Sequence, residues 1–184
     1  MNKKINIRKA TAADIANVSD IYKRIHDEEE SGRVRIGWVR GIYPEKETAE
    51  AALQRGDLFV EEADGRTVGT AIINQIQVDV YGQAEWKYHA PAEQIMVLHT
   101  LVIDPGVKGK GYGTAFVNYY EQYALDHGCR YLRMDTNEIN TRARAFYKAS
   151  GYEEAGIRPC VFNGMSDVRL VMLEKRIDIT NYIV

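Results

Sequence analysis

The sequence has few of the residues that staple small secreted folds. Two cysteines in 184 residues, Cys129 and Cys160, are too few for a disulfide framework and lack zinc-knuckle spacing. With His26, His89 and His127 they give no convergent metal set, so no metal is expected. No apolar run approaches the roughly 18 residues of a membrane span. The first residues turn polar again at Asn6 and Arg8 before a signal peptide can form. A soluble, cytoplasmic protein is the expectation. Neither sign of charge dominates, with 24 Lys plus Arg against 26 Asp plus Glu. That balance argues against a chain whose main task is to coat nucleic acid or an acidic membrane, and leaves a local basic patch open. Gly and Pro are not in excess, and there are no repeats or low-complexity tracts.

What is present reads as one compact domain, placed at residues 1–175. Residues 176–184 form a C-terminal tail whose apolar side chains from Ile177 to Val184 either dock on their own core or extend to a partner. Ile5 to Arg8 alternates as a half-buried strand does. Thr11 and Asp14 then offer caps to a helix with Ile15, Val18, Ile21, Tyr22 and Ile25 on one stripe, which the acidic run Asp27 to Glu30 and Gly32 are expected to end. Residues 33–43 carry aromatics without a clean period. Pro44, Glu45 and Glu47 open a second helix ending near Gly56. Leu58 to Glu62 and Thr67 to Gln77 are two strands around the hairpin signal Asp64-Gly65. Asp79 to Glu93 reads as a long exposed loop or hairpin tip.

Gln94 to Ile103 is apolar at nearly every position except His99 and Thr100, as in a strand buried on both faces. After Asp104-Pro105-Gly106 comes a helix with Phe116, Val117, Tyr120 and Ala124 on one face, ended by Gly128. A strand at 131–134, a helix from Thr141 to Ser150 and strands at 152–157 and 168–173 follow. This order predicts an α/β fold, a mixed sheet with helices on its faces.

The chemistry concentrates where the buried strand feeds a glycine-spaced turn into a helix. Backbone N–H groups at a helix N-terminus converge on an anion, and Gly109, Gly111 and Gly113 let phosphate oxygens approach without a Cβ in the way. Lys108 and Lys110 add mobile positive charge. A Walker-type loop fails because Tyr112-Gly113 stands where Lys and Ser or Thr belong. The dinucleotide fingerprint fails on both spacing and position in the chain.

Lys108-x-x-Gly111-x-Gly113, after a strand ending Val-Ile-Asp-Pro, resembles the pyrophosphate signature of the GNAT N-acetyltransferase superfamily. There the first position is usually Gln or Arg; Lys keeps the charge and loses the planar donors. Downstream, the segment from Asn140 through Ala143, Phe146 and Tyr147 to Gly151-Tyr152 resembles the family's second signature. Asn140 and Tyr147 stand seven residues apart, on one side if both are helical. The resemblance extends from about Ile5 to Leu173, with its specific residues between 99 and 152.

It implies a GNAT-type α/β (α+β) fold: a mixed, mostly antiparallel sheet of about seven strands with a central splay, flanked by four helices. It implies acetyl-CoA as donor, with the pantetheine admitted where strand 94–103 splays from strand 131–135. The cofactor-binding set it implies is Leu101, Val102, Ile103, Lys108, Gly109, Lys110, Gly111, Tyr112, Gly113, Thr114, Asn140, Ala143, Phe146 and Tyr147.

The reaction makes its own demands. Amine attack on a thioester builds an oxyanion, which a backbone N–H near Leu101 to Ile103 would face. The leaving thiolate needs a proton, and Tyr147 is the acid by analogy with the family. An alkylammonium is only about one part in a thousand neutral at pH 7, so its proton must also go somewhere. His99 is the candidate base, with Glu93 at the strand's entrance and a water relay as rivals. Trp38, Tyr43 and Trp86 either wall the acceptor pocket or anchor loops. Ser150 and Cys129 lack a nearby histidine in any motif, so direct transfer without a covalent intermediate is expected. Two rivals stay open: a non-catalytic acyl-CoA-binding sensor, and a transferase using another acyl-CoA. The acceptor is a small-molecule or peptide amine of unspecified identity, and a homodimer, common among relatives, is left open.

Overall fold

A computed structural model of the chain describes residues 5–178. They form two compact units, one taking residues up to 34, 38–73 and 99–117, the other residues 35–37, 74–98 and 118 onward. The tail residues 179–184 lie outside the described residues.

In the first unit, β1 (Ile5–Lys9) leads to α1 (Ile15–Glu30), α2 (Lys46–Arg55) and the hairpin β2 (Leu58–Ala63) and β3 (Arg66–Asn74). Asp14 fixes the start of α1. Its carboxylate accepts from the Thr11 backbone N–H at 2.7 Å and from both Arg8 guanidinium nitrogens at 2.8 and 2.9 Å, and the Arg8 bonds hold its pKa down at about 2. The apolar stripe of α1, Val18, Ile21, Tyr22 and Ile25, is buried as its spacing predicts. The helix takes in the whole acidic run and stops at its last residue, Glu30, with Gly32 at φ 73° just beyond, so its end falls where expected. Carboxylates are unfavourable at a helix C-terminus, and here cations answer them, Arg40 at Asp27 and Glu30, Arg33 and Lys108 at Glu28. Asp64 and Gly65, with φ of 52° and 74°, make the predicted hairpin turn.

In the second unit, Asp79 to Glu93 is largely the irregular, exposed stretch expected, except that Asp79–Gln83 winds into a 3-10 turn that buries Val80 and Tyr81. Two aromatics and a buried polar contact, described below, tie it down. The strands β5 (Tyr131–Asn137), β6 (Glu153–Phe162) and β7 (Met165–Arg176) all run longer than predicted. The turn joining β6 to β7 is Asn163-Gly164, both at positive φ. The helix α4 (Thr141–Ala149) starts at Asn140, which is its N-cap rather than a helical residue, accepting from the Ala143 N–H at 3.1 Å.

Besides Asn74 at the end of β3, two elements give residues to both units: β4 (Ile95–Ile103) and α3 (Tyr112–Asp126). Among the described residues the sheet has seven strands in the order β1-β2-β3-β4-β5-β7-β6. The pairs β1 with β2, β2 with β3, β5 with β7 and β6 with β7 are antiparallel, while β4 and β5 run parallel. The parallel ladder pairs Ile95 with Tyr131 through Leu98 with Met134, four residues of a nine-residue strand. The buried Tyr120 of α3 bonds the carbonyls of Met96 and Arg133 at 2.7 and 3.2 Å, which satisfies a phenol in the core and fixes the helix in register with the strands.

Candidate active site

In the first unit, β4 carries His99, half-buried, and then turns through a left-handed conformation at Thr100, φ 51°. For a β-branched residue this costs on the order of 1–2 kcal/mol, and the surroundings hold it there, since the Tyr43 hydroxyl and Thr100 Oγ1 share a hydrogen bond. A left-handed residue interrupts the regular ladder and re-aims the amides around it, here those next to Leu101, Val102 and Ile103. Tyr43 also meets Trp38 edge-on at 6.0 Å, so two of the three aromatics singled out in the sequence pack together.

The strand ends at Asp104, which accepts from the Gly106 N–H at 2.9 Å and from Arg24 Nε and Nη2 at 3.1 Å each. The chain then bends at Gly109 and Gly111, with φ of 76° and 83°, into α3. A Cβ built at either glycine meets nothing within 4 Å, leaving the approach to their backbone open. Among the described residues the N–H groups of Gly109, Gly111, Gly113 and Thr114 make no hydrogen bond. The first that α3 makes to its lead-in runs from Ala115 to the Gly111 carbonyl, 3.0 Å. Donors without acceptors at a helix start suit a diphosphate, which supplies oxygens and negative charge together. Tyr112 is buried against Ala63 and Val68 with Ile103 and Val107 packed alongside, so this tyrosine anchors the helix start.

In the second unit, Tyr147 lies in α4, 8% exposed, its ring 5.2 Å from Phe146 and 6.1 Å from Tyr152. Burial, reinforced by the negative charge of Asp135, raises its pKa, so the phenol stays protonated. Asp135 on β5 accepts from the Tyr81 hydroxyl at 2.8 Å. Desolvation nevertheless pushes its pKa up to about 6. Two residues earlier, Arg133 is buried, stacks on Trp86 at 4.0 Å and donates to the Gln77 side chain and the Tyr88 carbonyl. Trp86 donates its indole N–H to the Tyr81 carbonyl at 2.9 Å, so both its ring and its polar edge are engaged within its own unit. Glu93 is exposed, in a 3-10 turn before β4.

Sequence reasoning missed Asp135 and Tyr81. A signal was available: Arg133 and Asp135 alternate with the buried Leu132 and Met134, so two charges share one face of the strand. Among the described residues no cluster of His, Cys, Asp or Glu could hold a metal ion, and both cysteines are free thiols.

A mixed sheet of this strand order, with a glycine-spaced turn into the helix after its central strand, is the build of acyl-CoA-dependent N-acyltransferases. The acetyltransferase (GNAT) family model matches residues 19–152, and the chain belongs to that family. It is 25% identical over 158 residues to the uncharacterized N-acetyltransferase MJ1207 of Methanocaldococcus jannaschii, a match covering 83% of this chain and 62% of that protein. Its fold is similar to that of a GNAT-family acetyltransferase from Streptococcus agalactiae 2603, with a TM-score of 0.77 at 19% identity over 95% of this chain and 96% of the other. It is similar also to yncA of Salmonella typhimurium, solved with its cofactor acetyl-CoA, with a TM-score of 0.64 at 17% identity over 95% of each chain.

Proposed function

We propose that this chain transfers the acetyl group of acetyl-CoA directly to an amine. The observation that carries this reading is the bend at 108–114, open main-chain donors beside two lysines at a helix start, inside a family match. Lys108, Lys110 and the amides from Gly109 to Thr114 hold the diphosphate. Bound acetyl-CoA supplies the activated acyl group; the protein's own groups do the rest. An N–H near the left-handed Thr100, at Leu101 to Ile103, faces the developing oxyanion. The Asn140 Oδ1 is occupied by its capping bond, which leaves the amide nitrogen to donate to the cofactor arm.

Tyr147 protonates the departing thiolate. Burial and the charge of Asp135 keep its proton on at neutral pH, the state an acid must start from. His99 accepts the amine proton, with Trp38 and Tyr43 beside the acceptor. The acceptor is an amine whose class is left open, since fold and donor site are shared across many acceptors. Residues 1–175 act as one catalytic domain, a reading supported by the family match running through both compact units. No described helix is long and apolar enough to cross a membrane; that, with two free thiols, supports a cytoplasmic location.

Tyr147→Phe tests the reading. Turnover of acetyl-CoA, screened over amine classes, is expected to fall by about two orders of magnitude while CoA affinity by calorimetry is kept. An acyl-CoA sensor would show no turnover in either form. Failure of the wild-type chain to bind CoA at millimolar concentration would overturn the assignment.

A further inference from the structure

The acidic end of α1 and the lysine of the donor loop are not separate surface features. Arg24 and Glu28 stand one helical turn apart on α1, on one face. Arg24 grips Asp104 at the base of the loop with two 3.1 Å bonds. Glu28 Oε2 holds Lys108 Nζ at 2.5 Å, and Glu28 Oε1 holds Arg33 Nε at 2.8 Å. The backbone is committed as well, since the Glu28 carbonyl accepts from the Arg33 N–H at 3.0 Å and the Ser31 hydroxyl at 3.0 Å. The Glu28 side chain is 15% exposed, against 37% for Lys108 and 60% for Arg33. One largely covered carboxylate is thus shared by a cation of the donor loop and a cation of the segment leading towards Trp38 and Tyr43.

The geometry points to Glu28 as a charge latch on the donor loop: it holds Lys108 until a diphosphate takes the ammonium, and Arg33 then keeps the carboxylate neutralised. This rests on the reading of 108–114 as a diphosphate site. A lysine suits such a role. Its ammonium is a point charge with three rotatable donors on a four-carbon stem and can change partners by swinging, whereas a guanidinium is committed to a planar fork. The departure from the usual Gln or Arg at the first position of the glycine motif then has a physical purpose. Arg24 and Asp104 do not take part in the exchange; they keep the base of the loop in place while its tip changes partner.

Glu28 therefore competes with the donor, and its two cations act in opposite directions. Lys108 is the group being exchanged. Arg33 lowers the free-energy cost of the exchange, because a carboxylate that keeps one cation loses less when the other leaves. Exposed pairs of this kind are weak, so the expected changes are several-fold at most.

The test is calorimetric titration of the full chain with CoA at 150 mM salt, where charges more than about 8 Å apart are largely screened. Glu28→Gln is expected to tighten the Kd by about 2- to 5-fold, Arg33→Gln to weaken it by a similar factor, and Lys108→Gln to weaken it. In the Lys108→Gln background, Glu28→Gln is expected to change nothing, because there is no ammonium left to release. Weaker or unchanged binding in Glu28→Gln, with Lys108→Gln still weakened, refutes the latch and leaves the diphosphate site standing. Tightening by Glu28→Gln that persists without Lys108 shows a general field and refutes it too. Indifference of the Kd to Lys108→Gln refutes the latch alone, whereas lack of CoA binding by the wild-type chain removes the diphosphate reading and the latch with it.

Discussion

Glu61 offers the sharpest test of how electrostatics are arranged in the first unit. It lies on β2 opposite Gly69, fully buried, and neither carboxylate oxygen has a hydrogen-bond partner. A Cβ at Gly69 would stand 3.0 Å from Glu61 Oε2 and 2.8 Å from Ile103 Cδ1, so the carboxyl group lies beneath the strand that feeds the donor loop. Desolvation raises its pKa from 4.5 to about 8. The sign follows from proton counting. Between pH 4.5 and 8 the folded chain keeps a proton that the unfolded chain has lost, so stability falls as pH rises, by about 1.4 kcal/mol per pH unit. The stability present below pH 4.5 is reduced by about 3 kcal/mol at pH 7 and by about 5 kcal/mol once the folded pKa is passed. Glu61→Gln replaces a neutral, unpartnered carboxylic acid by a neutral amide of the same shape and removes the titration. Urea unfolding followed by Trp fluorescence, run from pH 5 to 8.5 on both proteins, gives the stability difference at each pH, in which distant titrating groups cancel. The variant is expected to match wild type within about 1 kcal/mol near pH 5 and to exceed it by about 3 kcal/mol at pH 7. A difference that stays flat across this range would falsify the placement of an unpartnered carboxyl at this site.

Two more outcomes concern the site itself. Gly111→Ala puts a methyl group on a residue at φ 83° where nothing now lies within 4 Å; stability is expected to drop by about 1 kcal/mol and the Kd for CoA to rise about tenfold, as for the loss of one charge-assisted hydrogen bond. An unchanged CoA Kd in that variant would mean the bend does not meet the cofactor. Asp135 is neutral well below its pKa of about 6 and ionised above it, and its charge acts on Tyr147. A step in kcat between pH 5 and 7 with a midpoint near 6 is therefore expected, and Asp135→Asn should flatten it; a step that survives the substitution belongs to another group.

The parts of the fold that were legible in the sequence are those fixed by short-range rules. The stripe of α1, the Asp64-Gly65 hairpin and the stop at Gly56 each follow from spacing or from a residue able to take positive φ. The bend at Gly109 and Gly111 was legible for the same reason, and with it the family. What stayed hidden are the features that a distant partner decides. Asp27 to Glu30 look unsuited to a helix only while Arg33, Arg40 and Lys108 are out of view, and those cations come from 5 to 80 residues away. Tyr81 looks as exposed as the rest of its stretch until it finds Asp135, 54 residues on.

The same distinction separates donor chemistry from acceptor chemistry in this chain. On the proposed reading a diphosphate is gripped by main-chain N–H groups, whose positions depend on φ and therefore on glycines that a reader can count. An amine must be deprotonated and a thiolate protonated by side chains whose proton affinities are set by burial and neighbouring charge. Tyr147 could be named from its motif, but its readiness to hold a proton depends on Asp135, marked in the sequence only by its alternation with Leu132 and Met134, and on the packing of α4, which has no sequence signature of its own. Three shifted acids, Glu61, Asp135 and Tyr147, all owe their shift first to desolvation. Their titration should thus persist at high salt, while the Glu28 pairs, lying at the surface, weaken. Salt dependence accordingly separates the two kinds of electrostatics: an ionic-strength effect on CoA affinity belongs to the loop and its latch, and a pH effect that ignores ionic strength belongs to the buried carboxylates and the phenol.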